Sequence, residues 1–188
     1  MKRKIGALAG AMWLLLAGSL WASSYDDTVA LFKNAGESRW FFSHCYGYAV
    51  FPTVGEGGFV VGGAHGTGRV YVHGKYVGDT SVTQVSVGFQ AGGKAYSQIV
   101  FFEDQRAFDE FTKGDFEFGA DVSAVAITAA AGGSVGTTGA SAGASGGMKD
   151  ATTAGKYYKG LAVFTIVKGG AMYQATVAGQ KFTYTAKA

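Results

Sequence analysis

Gly88, Gly93 and Lys94 are spaced as in a phosphate loop, G-x-x-x-x-G-K. The next residue is Ala95, so the hydroxyl that would hold magnesium is missing, and the run Tyr96–Phe102 is apolar and β-like where the phosphates need a helix N-terminus. Nucleotide binding is rejected on both counts. The three histidines, His44, His65 and His73, give no zinc-ligand pair within one helix, and the single cysteine, Cys45, cannot build a thiolate cluster or an internal disulfide. No nucleophile-elbow sequence accompanies the scattered Ser, His and Asp residues. Glu103, Asp104, Asp109, Glu110, Asp115, Glu117 and Asp121 crowd one segment but lack the Asp/Asn/Gly order of a calcium loop, and read as a solvated face. The sequence therefore assigns no catalytic residue, no metal ligand and no cofactor, and the expectation is a non-enzymatic protein.

The elements that must position the remaining candidates begin after residue 22. Lys2, Arg3 and Lys4 precede an apolar run from Ile5 to about Ala17, and Gly18, Ser19 and Ala22 follow as small residues. This is the layout of a secretory signal over 1–22, with the mature start near Ser23 and a periplasmic or secreted destination; an uncleaved anchor is the alternative. Without those three cations the net charge of +3 falls to zero, so basicity gives no argument for nucleic acid. The charge is nevertheless uneven. Lys149, Lys156, Lys159, Lys168, Lys181 and Lys187 face only Asp150 in the last stretch, opposite in sign to the acidic segment.

Val29, Phe32, Gly36 and Trp40 recur at helical spacing and predict an N-terminal helix over about 26–43, capped by Asp26 or Asp27 and weakened by Gly36. Trp40 and Phe42 fall on its core side. Phe41 falls with Asn34 and Glu37 and is the exposed member. The period then changes to β. Short strands are expected at Tyr48–Phe51, stopped by Pro52, and at Phe59–Gly63, Arg69–His73 and Tyr76-Val77 after a Gly74-Lys75 turn. The uneven spacing of Val82, Val85 and Val87 predicts a bulge, and Ile99–Phe102 a buried central strand. A short mid-chain helix runs from an Asp104 cap through Ala107, Phe108 and Phe111 to Gly114. Phe116–Val122 alternates as a strand, with a bend near Ser123 before Val125 and Ile127. Residues 131–155 read as a flexible Gly/Ser/Ala loop, and strands at Leu161–Val167, Ala171–Val177 and Lys181–Thr185 close the chain. The fold class is α+β: a predominantly antiparallel β-sheet, glycine-rich with 31 Gly and 1 Pro, with an N-terminal helix and one short mid-chain helix, forming a single domain over 23–188.

The order of these signals resembles the SYLF domain family. The resemblance is carried by Ala49-Val50-Phe51-Pro52, Gly57-Gly58-Phe59, the glycines from Gly62 to Gly68, Val87-Gly88-Phe89-Gln90-Ala91-Gly92, Phe118-Gly119-Ala120-Asp121-Val122, Lys168-Gly169-Gly170 and Val177-Ala178-Gly179. Family members in eukaryotes bind phosphoinositides at cytoplasmic membranes, and some bind actin. The resemblance implies the fold and an affinity for anionic phospholipid headgroups. Actin is not an expected partner of an exported chain. Lys33, Arg39, Lys168 and Lys181 are then the expected headgroup contacts, with Phe41 as an apolar insert. A structural or self-assembling envelope protein is the alternative, with self-association through glycine-rich strands or the unpaired Cys45.

Overall fold

The computed structural model describes residues 25–58, 61–87, 93–122, 124–129, 135–136, 157–169 and 177–188. The segment read as a secretory signal lies outside them, as does the expected strand over Ala171–Thr176. The chain opens with helical residues 25–34 (α1) and Gly36–Ser43 (α2). Strands β1 (Gly47–Gly58), β2 (Val61–Val72), β3 (Lys75–Val87) and β4 (Lys94–Phe102) follow, and then the helix α3 (Gln105–Phe111). Short strands β5 (Phe116–Glu117), β6 (Val125–Ala129) and β7 (Val135–Gly136) precede β8 (Leu161–Gly169) and β9 (Lys181–Ala186). They form one sheet in the order β5-β9-β3-β2-β1-β4-β8-β6-β7. The sheet is mixed, because β6 runs parallel to β8 while the other pairings are antiparallel.

The central strands are buried on both faces, which is why their sequences are continuously apolar rather than alternating. Ala49, Phe51, Val100 and Phe102 face one core with Ala107 and Phe111 of α3. Tyr48, Val50, Ile99 and Phe101 face the other with Phe32 of α1, Ala35 between the helices and Phe41 of α2. The Asp104 cap is present: Ala107 N donates to Asp104 Oδ1 at 2.8 Å.

The sheet curls strongly around the α3 core. Two strands separate β1 from β9, a flat span of about 14 Å, yet the rings of Phe51 and Phe182 lie 5.8 Å apart. The amides of Gln98 on β4 and Gln180 before β9 pair at 2.8 Å across the interior, and Gln180 Nε2 also donates to Tyr96 Oη at 3.0 Å. Pro52 supplies part of the bend. It does not stop the strand as expected; β1 runs on through a bulge whose register slips between Phe51 and Val54 against β4 and between Val50 and Val54 against β2. A bulge tolerates the missing N–H and turns the strand, and Pro52 O accepts from Ser97 Oγ at 2.7 Å. Gly68 completes the arrangement, since a Cβ there would sit 2.6 Å from the Phe51 ring.

Other expectations shift. The glycines of β2 do not divide it into two strands; Gly66 and Gly68 are places where a Cβ would come within 3.0 Å of β1. The β2–β3 turn is His73-Gly74, one residue earlier than predicted, with φ of 48° and 77°. The bulge of β3 lies at Val77 rather than among Val82–Val87, whose pairing is regular. Of the predicted 116–122 strand, Phe116–Glu117 pair with β9, Phe118 N donates to Gln180 O and Phe118 O accepts from Gly179 N, both at 2.9 Å, and a turn then closes with Val122 N donating to Gly119 O at 3.2 Å. Within the expected 131–155 loop, Val135–Gly136 pair with β6 as a short strand; the rest of that loop lies outside the described residues.

Candidate functional site

The N-terminal helix is broken at Ala35, whose φ of −76° and ψ of 130° are extended. Residue 25 is already helical, so Asp26 and Asp27 lie within α1 rather than capping it. Tyr25 is buried on the sheet, and the Arg69 guanidinium lies 4.4 Å from its ring. At the break, side chains take up carbonyls that the next helical turn would otherwise use. Ser38 Oγ donates to Phe32 O at 2.5 Å, and Arg39 Nε donates to Lys33 O at 3.1 Å.

The break has two consequences. In an unbroken helix Lys33 and Arg39 would point about 120° apart; here Arg39 folds back onto the Lys33 carbonyl, and both residues line one cavity. The break also advances the buried face of α2. Its core residues are Ser38 and Phe41, both fully buried, while Trp40 is 47% exposed. The expectation for Phe41 and Trp40 is therefore reversed. Phe41 packs on Phe101, Phe164 and Tyr157 and is not an exposed insert. Trp40 takes the outer position, stacked on His44 at 4.0 Å, and Leu31 of α1 is exposed as well. Phe42 is half-buried, with Lys33 Nζ 5.4 Å from its ring centroid.

The cavity is a half-open cleft of about 620 Å³. Its walls come from α1 (Lys33, Asn34), α2 (Arg39, Phe42, Ser43), the connection Cys45-Tyr46, the start of β1 and the His73-Gly74 turn. Among the described residues that line it, two are permanent cations and none is a carboxylate. Burial pushes the Cys45 thiol up to about 11 and the Tyr48 phenol up to about 12, so both stay neutral near pH 7 and keep negative charge away from the cations. Cys45 is thus a poor nucleophile.

Lys168 and Lys181 are elsewhere. Lys168 Nζ donates to Thr53 Oγ1 at 3.2 Å, six residues along β1 from Gly47, about 20 Å from the cavity end. Lys181 pairs with Thr83, which pairs with His65, which pairs with Gly55, at the same level of the sheet. Its Nζ lies 3.7 Å from Glu117 Oε2. The structure brings together Lys33 and Arg39, and separates them from Lys168 and Lys181. His73, assigned no role from the sequence, joins the cavity. Gly36 was the one available signal of the break.

The acidic segment is divided among individual partners: Asp104 caps α3, Glu110 meets Arg106 at 3.4 Å, and Asp121 Oδ2 accepts from Lys159 Nζ at 2.6 Å and Tyr158 Oη at 2.7 Å. Among the described residues no group of three or more His, Cys, Asp or Glu is placed to hold a metal ion. Residues after Lys94 form strand β4, not the helix a phosphate loop requires.

Comparison with known proteins agrees with the order of motifs. Residues 83–187 match the family model described as Ysc84, a Las17-binding protein actin regulator. The chain is also 28% identical over 156 residues to Beta cell expansion factor A of Aeromonas veronii, covering 82% of this chain and 51% of that protein. It thus spans about half the length of this curated relative. With the family model matching more than half of its length, the chain belongs to the SYLF (Ysc84) family of binding domains.

Proposed function

We propose that this chain is an exported, non-catalytic module that attaches to anionic phospholipid membranes through the α1–α2 end of the sheet. The observation that carries the reading is the convergence of Lys33 and Arg39 on one cavity. Exposed Trp40 and Leu31 on the same two helices add apolar contact. Cations beside interfacial aromatics suit an anionic headgroup layer, each cation contributing on the order of 1 kcal/mol. Among the described residues no helix is long and apolar enough to cross a membrane. Export through 1–22 would place the chain in the periplasm or outside the cell, where bacterial anionic lipid rather than actin is the available partner.

The test is co-sedimentation with vesicles of phosphatidylglycerol or cardiolipin against neutral phosphatidylcholine. Trp13 and Trp21 would leave with the signal, making Trp40 the sole tryptophan of the processed chain and a direct probe. Its emission should shift to the blue on anionic vesicles and revert with salt, since exposed charges are screened over about 8 Å at physiological ionic strength. Equal binding to neutral and anionic vesicles, or none at low salt, would reject the reading and favour a self-assembling envelope protein.

A further inference from the structure

His73 is the third group of the cavity that can carry positive charge. It occupies the first position of a two-residue turn with φ of 48°, followed by Gly74 at 77°. Turns with two positive φ values favour Asn or Asp before the Gly. Non-glycine residues held in this region concentrate at ligand sites and switch regions. The turn is also tied to the cavity wall: His73 N donates to Tyr46 O at 3.2 Å, and the two rings meet edge to face at 4.9 Å.

The groups around His73 leave its charge as the variable one. Lys33 on α1 and Arg39 on α2 are permanent cations, while Cys45 in the connection and Tyr48 on β1 are kept neutral by burial. Asp26 acts electrostatically on Tyr48 but is not part of the lining, and Tyr46 contributes a phenol edge. Histidine is the side chain whose ordinary charge change falls between pH 5 and 8.

We propose that the cavity is a site for a single tetrahedral oxyanion of the phosphate class, and that protonation of His73 sets its affinity. A third cation facing an anion already held by Lys33 and Arg39 adds a charge-assisted contact. By linkage, the bound anion must favour the protonated imidazole by the same factor. The anion can be the phosphate of a lipid headgroup or a free phosphate ester. The proposal rests on the membrane reading for the first source and not for the site itself.

The experiment uses sulfate, which stays dianionic across this range, so that any pH dependence belongs to the protein. Titration of the purified chain, followed by the His73 ring signals in NMR, should show binding on the order of fivefold tighter at pH 5.5 than at pH 8. Sulfate should also move the His73 titration to higher pH. His73→Asn should abolish the pH dependence while keeping the thermal midpoint, because Asn suits this turn. Arg39→Gln should weaken binding at both pH values. Phosphatidylglycerol vesicles then identify the source: the same pH slope assigns the site to a headgroup, and a flat slope beside a sloping sulfate response assigns it to a free phosphate ester. Sulfate that leaves the His73 signals unmoved, or a His73→Asn chain with the wild-type slope, overturns the proposal. Vesicle binding that persists in that case leaves the membrane reading standing.

Discussion

Lys33 and Arg39 sit at one end of β1, and Lys168 and Lys181 lie at the level of its bulge, about 20 Å away. All four carry the same charge, but their surroundings differ. The first pair lines a shared cavity with no carboxylate among its described lining residues, beside exposed Trp40. Of the second pair, Lys168 bonds a threonine hydroxyl and Lys181 faces Glu117 at 3.7 Å. Nearness in the lysine-rich stretch therefore does not bring Lys168 and Lys181 into one cavity as Lys33 and Arg39 are brought. What gathers charge here is a local break in a helix, and what disperses it is the register of the sheet.

The largest effect should separate two neighbours in sequence. Phe41→Ala removes a fully buried ring from the Phe101–Phe164–Tyr157 cluster and should cost about 3–5 kcal/mol of stability. Trp40→Ala should change stability by only about 0.5 kcal/mol, as for an exposed site, yet weaken vesicle binding. Denaturant unfolding of both variants checks this. A stable Phe41→Ala chain that fails to bind vesicles would restore Phe41 as the insert and break the assignment of the two faces.

The next effect compares the basic pairs. Replacing Lys33 and Arg39 together with Gln should weaken binding to phosphatidylglycerol vesicles by about thirtyfold, at on the order of 1 kcal/mol per cation. The same change at Lys168 and Lys181 should cost less than about tenfold, because Lys181 already spends part of its charge on Glu117. Co-sedimentation across a lipid series gives both numbers. Equal losses would mean that the whole edge of the sheet, rather than the helix end, meets the membrane.

Much of this architecture could be read from residue patterns. The apolar run Ile99–Phe102 gave the central strand, and Asp104 with Ala107 and Phe111 gave the α3 cap and face, since both depend on neighbours a few residues away. The curl was not legible. It depends on Phe51 meeting Phe182 and on Gln98 meeting Gln180, contacts between residues 131 and 82 positions apart that no local period encodes. Pro52 misled in the same way, because only a partner strand on each side shows that it sits in a bulge. The site was half legible. Lys33 and Arg39 were identified by type, but Phe41 was assigned to the wrong face. A phase carried through Gly36 as if the helix were continuous places every later residue about 100° away from its true direction.

The smallest effect tests whether cations at the cavity end differ from one another through their partners. Lys159 belongs to this end, since it precedes Leu161, which pairs with Phe102, which pairs with Gly47. Its Nζ is held by Asp121, which also accepts from Tyr158. The Lys159 and Tyr158 hydrogen bonds pull the Asp121 carboxyl down to about 2, and the same carboxylate raises Lys159. A carboxyl lowered in the folded state contributes stability that is complete above its unfolded value, near pH 4, and is lost as pH falls toward 2. The Asp121 side chain is 35% exposed, so solvent keeps the contribution small. Acid-unfolding curves of the wild type and Asp121→Asn should therefore differ slightly above pH 4 and converge toward pH 2. Vesicle binding should rise slightly in Asp121→Asn, because Lys159 is released to add its charge to the end that carries Lys33 and Arg39. A stability difference that stays constant from pH 5 to pH 2 would show that the triad is held by packing rather than charge. Unchanged vesicle binding would restrict the basic site to the cavity itself.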